Sequence, residues 1–302
     1  MNIIALYILT IFIWGTTWFA IKLQIGHAPD EISILYRAFL AAICLLILCK
    51  IKGLSLRFKT KDHLFLCLLG FSMFSIHYLS VYYATNYIVS GVIAVVFSGV
   101  SFLGIVNNFI FFRIKPSLNI VLGTLIGISG LCVFFWHEVA QLSLRSETLY
   151  GLSLACIGTV IFSLGSSISK RNNQAGLPII PSITVGTIYG TLIMIVYTIL
   201  QSTPLVFPIS FEYWTSLLYL VILGSVIAFL CYLKLIKEIG PELAGYTTVL
   251  FPIVALIISS MLEGYEWSLP DLIGLLLVIS GNILVMQKKA CITHFLKPHK
   301  ML

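Results

Sequence analysis

Residues 123–130 read Gly-Thr-Leu-Ile-Gly-Ile-Ser-Gly, and residues 274–281 read Gly-Leu-Leu-Leu-Val-Ile-Ser-Gly. At an offset of 151, Gly123, Ile128, Ser129 and Gly130 recur as Gly274, Ile279, Ser280 and Gly281. The same offset carries Ser90, Ala94, Phe97, Ser101, Gly104 and Asn108 onto Pro241, Gly245, Thr248, Pro252, Ala255 and Ser259. Their steps of four and three put each set on one face of a helix. A neighbouring offset of 148 lays Trp14, Gly15 and Lys22 on Phe162, Ser163 and Lys170. The chain therefore reads as two related helical halves.

The composition says what those helices sit in. Of 302 residues 59 % are hydrophobic and 10 % charged, and the mean hydropathy is +1.06, against about 45–50 % and 25 % for soluble domains. Apolar runs bounded by charge, Gly or Pro fall near 3–22, 31–50, 63–84, 88–111, 118–136, 149–169, 181–201, 213–233, 241–262 and 270–287, close to the length a spanning helix needs. The first run has neither a basic leader nor a small-residue cleavage site and is expected to be retained. With the N-terminus inside, 15 of the 18 basic residues lie in cytoplasmic loops or the tail, as membrane insertion requires of short loops. The expected fold is all-α and integral to the membrane: ten transmembrane helices, both termini cytoplasmic. Residues 1–137 form a first five-helix repeat, 138–148 an extracytoplasmic linker, 149–288 a second repeat and 289–302 a basic tail. An odd number of helices per repeat inverts the second half, a pattern of secondary transporters with midplane sites.

The net charge of +7 sits in short loops rather than on one folded face, so a nucleic-acid partner is not expected. The expected partners are a small-molecule substrate and membrane lipid, with a homodimer left open. The seven cysteines show no metal-site spacing, and neither metal nor cofactor is expected. No paired acids, His-Glu helix motif or Gly-x-Ser-x-Gly elbow occurs in the spans, so an enzyme is not expected.

Ionisable groups inside a membrane are costly and mark function. Arg37 lies near the outer end of the second span, where it either snorkels to headgroups or holds a carboxylate in a vestibule. His77 is the mid-membrane group that titrates near neutrality, so any proton coupling is expected there. Ser75, Tyr78, Tyr82 and Asn86 form one stripe on the third span, either a cavity wall or interhelical glue. Trp14 and Thr17 share a face of the first span at mid-membrane depth, whereas Trp18 and Trp136 read as interfacial belt residues. Trp14, Tyr78, Tyr82, Ser101 and Thr248 are expected to line one central cavity with His77 nearby, and Pro252 to act as a hinge.

These residues resemble the drug/metabolite transporter superfamily, in particular its EamA-type ten-helix members. The resemblance rests on Trp14-Gly15 with Lys22, Arg37, the junction Ala84-Thr85-Asn86-Tyr87-Ile88-Val89-Ser90-Gly91, Pro252, Glu263, Glu266 and the Gly274–Gly281 helix. It implies a secondary transporter working by alternating access. Ser101 stands where the family often has a proline, so only the helix holding Pro252 is expected to kink. With one arginine and no embedded acid, the cargo is expected to be a small polar or zwitterionic, amino-acid-like metabolite, exported through the inner membrane. The alternatives are drug or quaternary-amine efflux through an aromatic cage, or a channel-like protein without turnover.

Reporter fusions after Lys61, Lys115, Arg171, Lys237 and Lys300 should all report a cytoplasmic location; one extracytoplasmic signal breaks the ten-span arrangement.

Overall fold

The computed structural model describes residues 2–134, 136, 146–244 and 247–287; the expected linker lies largely, and the basic tail wholly, outside them. The described residues fold into helices, because a backbone in hydrocarbon must satisfy its own hydrogen bonds. In chain order these are α1 (Ile3–Lys22), α2 (Asp30–Ile51), α3 (Thr60–Phe74), α4 (Ile76–Thr85), α5 (Ser90–Phe97), α6 (Val100–Phe112), α7 (Leu118–Phe134), α8 (Ser146–Gln174), α9 (Ile179–Leu200) and α10 (Phe211–Tyr219). A π-helical turn (Leu220–Ile227) joins α10 to α11 (Ala228–Ala244), followed by α12 (Thr247–Leu262) and α13 (Leu269–Gln287). Seven helical segments are long and apolar enough to cross a membrane. Three shorter apolar helices, Leu118–Phe134, Leu250–Leu262 and Leu269–Gly281, accompany them.

Small residues decide how closely the helices approach. A Cβ on Gly281 would lie 2.4 Å from the Gly123 carbonyl oxygen, and one on Gly130 would lie 2.7 Å from that of Gly274. Gly123 thus meets Gly281 while Gly130 meets Gly274, so α7 and α13 pack antiparallel, backbone against backbone. Gly70 of α3 has the same relation to α9, where its Cβ would come within 2.3 Å of the Gly186 carbonyl oxygen. Elsewhere α1 packs on α12 and on α11, α8 on α3 to α6, α2 on α9 and on the π-turn, and α5 on α12. Lys22, in the last turn of α1, donates from Nζ to the Thr85 carbonyl at 3.3 Å, where a cation complements the exposed end of α4.

Two of the helix breaks carry no proline, whereas a third departure from helical geometry, at Gly240 (φ 86°, ψ 160°), directly precedes Pro241. Between α3 and α4, Ser75 leaves helical geometry (φ −137°, ψ −83°). Its hydroxyl donates to the Gly70 and Phe71 carbonyls at 3.1 and 3.0 Å. Ser98 and Gly99 separate α5 from α6, and the hydroxyls of Ser98 and Ser101 donate to the carbonyls of Val95 and Ser98. The expectation that only the Pro252 helix departs from a straight course is therefore corrected. Pro252 lies inside the continuous α12, whereas serine hydroxyls capture freed carbonyls and sustain the break before Ser101.

Gly281→Val, which forces a side chain into the α7–α13 contact, should lower stability by about 1–3 kcal/mol as overpacking does, read as a lower melting temperature in detergent. Gly104→Ala, with nothing within 4 Å of its new Cβ, should leave it unchanged.

Candidate functional site

Side chains from seven of the helices meet around one buried cavity. Its wall comprises Trp14, Thr17, Trp18 and Ile21 from α1, Arg37 from α2, His77, Tyr78 and Val81 from α4, and Phe97, Phe162, Phe229 and Phe251 from α5, α8, α11 and α12. The α1 residues follow a spacing of three, one and three, the signature of a single helix face. Every one of these side chains is buried. The free space is about 40 Å³, room for a few waters. A metabolite-sized ligand needs several hundred Å³, so this is a contracted state of the cavity.

The aromatic rings interlock. Trp14 meets Phe162, Phe229 and Tyr232 at centroid distances of 5.9, 5.4 and 4.8 Å. Trp18 meets Phe97 and Phe251 at 5.4 and 5.6 Å. His77 sits 5.1 Å from both Phe97 and Phe162, and its Nδ1 lies 3.3 Å from the Gly158 carbonyl. A carbonyl only accepts, so that nitrogen carries the proton.

The polar end is built on Arg37, which is 2 % exposed. Its Nε donates to Ser225 Oγ at 2.8 Å, and its guanidinium carbon lies 4.1 Å from the centroid of the Tyr78 ring, a cation–π distance. The Tyr78 hydroxyl is 3.5 Å from the same serine. Trp14 Nε1 donates to the Gly224 carbonyl at 3.4 Å. Gly224 and Ser225 belong to the π-turn, whose i→i+5 winding is wider than that of the α-helices on either side. Two further donors have no partner among the described residues: Arg37 Nη1 and Trp18 Nε1. Among the described residues the one ion pair is Arg171 with Asp62 at 3.1 Å, so no acid neutralises Arg37.

Of the expected site residues, Trp14, Thr17, Arg37, His77 and Tyr78 stand on this wall. Tyr82 does not: it is fully buried and donates to Gln24 Oε1 at 2.8 Å. Ser101 donates to the Ser98 carbonyl across the α5–α6 break and is off the cavity wall, as is the fully buried Thr248. The stripe on the third span divides accordingly, with Asn86 donating to Asp30 at 2.8 Å. Arg37 faces inward rather than snorkelling. Trp18 belongs to the wall and not to the interface, while Trp136 is 66 % exposed as a belt residue would be. The four phenylalanines and Ser225 were not singled out by sequence reasoning. The signal for Phe162 was the 148 offset, which aligns it with Trp14.

A multi-span helical bundle enclosing a buried polar and aromatic cavity defines a membrane transporter. The chain belongs to the EamA-like transporter family, whose profile matches residues 1–136 and 149–287. It is 22 % identical over 286 residues to protein PagO of Salmonella typhimurium, covering 95 % of this chain and 93 % of that one. It is 27 % identical over 290 residues to the inner membrane transporter YedA of Escherichia coli strain K12, covering 94 % and 89 %. A protein crystal structure superposes with a TM-score of 0.72 over 95 % of this chain and 98 % of that one; at 17 % identity it speaks to the fold alone.

Ser225→Ala leaves Arg37 Nε buried without an acceptor. Unfolding free energy should drop by about 1.5–3 kcal/mol, the worth of a hydrogen bond to a charged group, measurable as an earlier thermal transition in detergent.

Proposed function

We propose that this transporter exports a small, carboxylate-bearing, amino-acid-like metabolite across the inner membrane by alternating access. Ten spans in two inverted repeats, with both termini cytoplasmic, would carry it. The antiparallel contact of α7 with α13 supports the inversion. Under the 151 offset, Gly123 with Gly281 and Gly130 with Gly274 are the same contact written twice, as two-fold symmetry demands. Equivalent helices related by an axis along the membrane normal would run parallel; opposed ones require an axis in the membrane plane. The remaining packing obeys the same exchange: α1 on α12 mirrors α8 on α5 and α6, and α8 on α3 and α4 mirrors α1 on α10 and α11.

The observation that carries the cargo reading is the pair of unpartnered donors, Arg37 Nη1 and Trp18 Nε1, in one cavity. A buried cation without a counter-charge costs several kcal/mol, and an anionic group on the cargo relieves that cost. A carboxylate offers acceptors to both donors, while the aromatic wall takes the rest of the molecule. The same wall suits a cationic amine, but the adjacent guanidinium opposes it.

Counterflow in proteoliposomes with labelled amino acids and their decarboxylated amines tests this. Flux should saturate and require the carboxylate, and Arg37→Met should raise the half-saturating concentration about tenfold or more, as loss of a charged hydrogen bond implies. Equal transport of the amines would transfer the assignment to amine efflux, and flux that never saturates would make the protein a channel.

A further inference from the structure

A second, smaller pocket lies at the end of the bundle that carries the basic loops, between α3, α8, α9 and α11. Its free space is about 10 Å³, at the lower limit for one water. Asn172, Asn173 and Ser182 line it, and each presents a buried atom with no partner: Nδ2, Nδ2 and Oγ. Asn172 and Ser182 are 3 % and 5 % exposed. The orientation of Asn172 is imposed, because Arg171 Nη1 donates to its Oδ1 at 3.2 Å and leaves the NH2 group facing the pocket. Arg171 is itself matched by Asp62 at 3.1 Å. The unpaired amide atoms are donors, and the serine hydroxyl is able to donate as well. An unsatisfied buried donor costs about 1–3 kcal/mol, so the set is suited to a ligand that accepts.

Two features add sign and direction. Ile179 and Ser182 bring the N-terminus of the 22-residue α9 to this pocket, with no acid in its first turn, and the positive end of a helix favours an anion. Along α8, Phe162, Ser166, Ser169 and Asn173 are spaced by four, three and four. They form one face from the central cavity to the pocket, with Ser166 bonded to the Tyr232 hydroxyl at 3.3 Å.

We propose that Asn172, Asn173 and Ser182 form a loading site for the carboxylate of the cargo, on the cytoplasmic side of Arg37. The site rests on the carboxylate reading of the central cavity and on the cytoplasmic placement of the basic loops. Its counterpart at the opposite end is different in charge. The 148 offset lays Gln24 on Asn172, and Gln24 is likewise 1 % exposed, with Oε1 held by Tyr82 and Nε2 unpartnered. There, however, α2 begins with Asp30 and Glu31. The charge near the pocket at one end favours an anion, and that at the other disfavours it.

The experiment needs no cargo. In a cysteine-free background, Ser182→Cys is exposed to two thiol reagents of similar size, the anionic sulfonatoethyl and the cationic trimethylammonioethyl methanethiosulfonate. Rates are normalised to those with free cysteine. Inside-out vesicles should show modification, several-fold faster for the anion, and Asn172→Leu added to that background should abolish the preference. Right-side-out vesicles should show none. If Ser182→Cys does not fold, Ser169→Cys reports on the same pocket. Absence of modification from either face, or equal or faster reaction with the cation, overturns the loading site. Because Arg37 is tested by carboxylate dependence of counterflow, either assignment is able to fail without the other.

Discussion

The hydrogen bond from Arg37 to Ser225 organises the centre of this protein. It holds a full positive charge inside the bundle, where charge is otherwise excluded, and it does so with a neutral acceptor. Hydroxyl and tyrosine face soften the cost without cancelling it. The π-turn that supplies Ser225 also offers the Gly224 carbonyl to Trp14, so one local widening of a helix positions both the cation and the aromatic wall. Gly224 has to be small: a Cβ there would lie 2.9 Å from the Thr17 methyl and 3.3 Å from Arg37 Nη2.

Around that centre, rigid and adjustable parts are separated. The α7–α13 contact sets backbone against backbone and tolerates no added atoms. Three of the spans that touch the cavity are interrupted instead, at Ser75, at Ser98–Gly99 and along Leu220–Ile227. Residues 98–99 correspond through the 151 offset to 249–250, just before Pro252, yet α12 runs on unbroken there, so the interruption of the first half has no copy at that position.

Much of this was legible in the sequence because its causes are periodic or costly. The apolar helices follow from hydropathy, and Arg37 and His77 from the expense of titratable groups in hydrocarbon; the match of Gly123-Gly130 with Gly274-Gly281 marked a repeat but not that the two helices touch. Trp14 was legible from its depth. What escaped was orientation. A phenylalanine in an apolar helix reads the same whether it faces lipid or cavity, so Phe229 and Phe251 left no mark, and Phe97 was marked only as a member of the repeated face. Tyr82 and Asn86 were spaced correctly from Tyr78, but spacing identifies a face and not its neighbour; Gln24 and Asp30 turned out to occupy the facing positions. The π-turn escaped for a different reason: it inserts extra winding that a 3.6-residue pattern cannot register, although Gly224-Ser225 sits within it.

The contracted cavity has a bioenergetic meaning. A protein that held a wide water-filled passage beside a row of unpaired donors would let solutes and ions run down their gradients whenever cargo was scarce. Here interlocked rings reduce the centre to the volume of a few waters, and the smaller pocket near Ser182 is a separate hollow. Closed to that volume, the centre offers no water-filled route along which ions could run down their gradients.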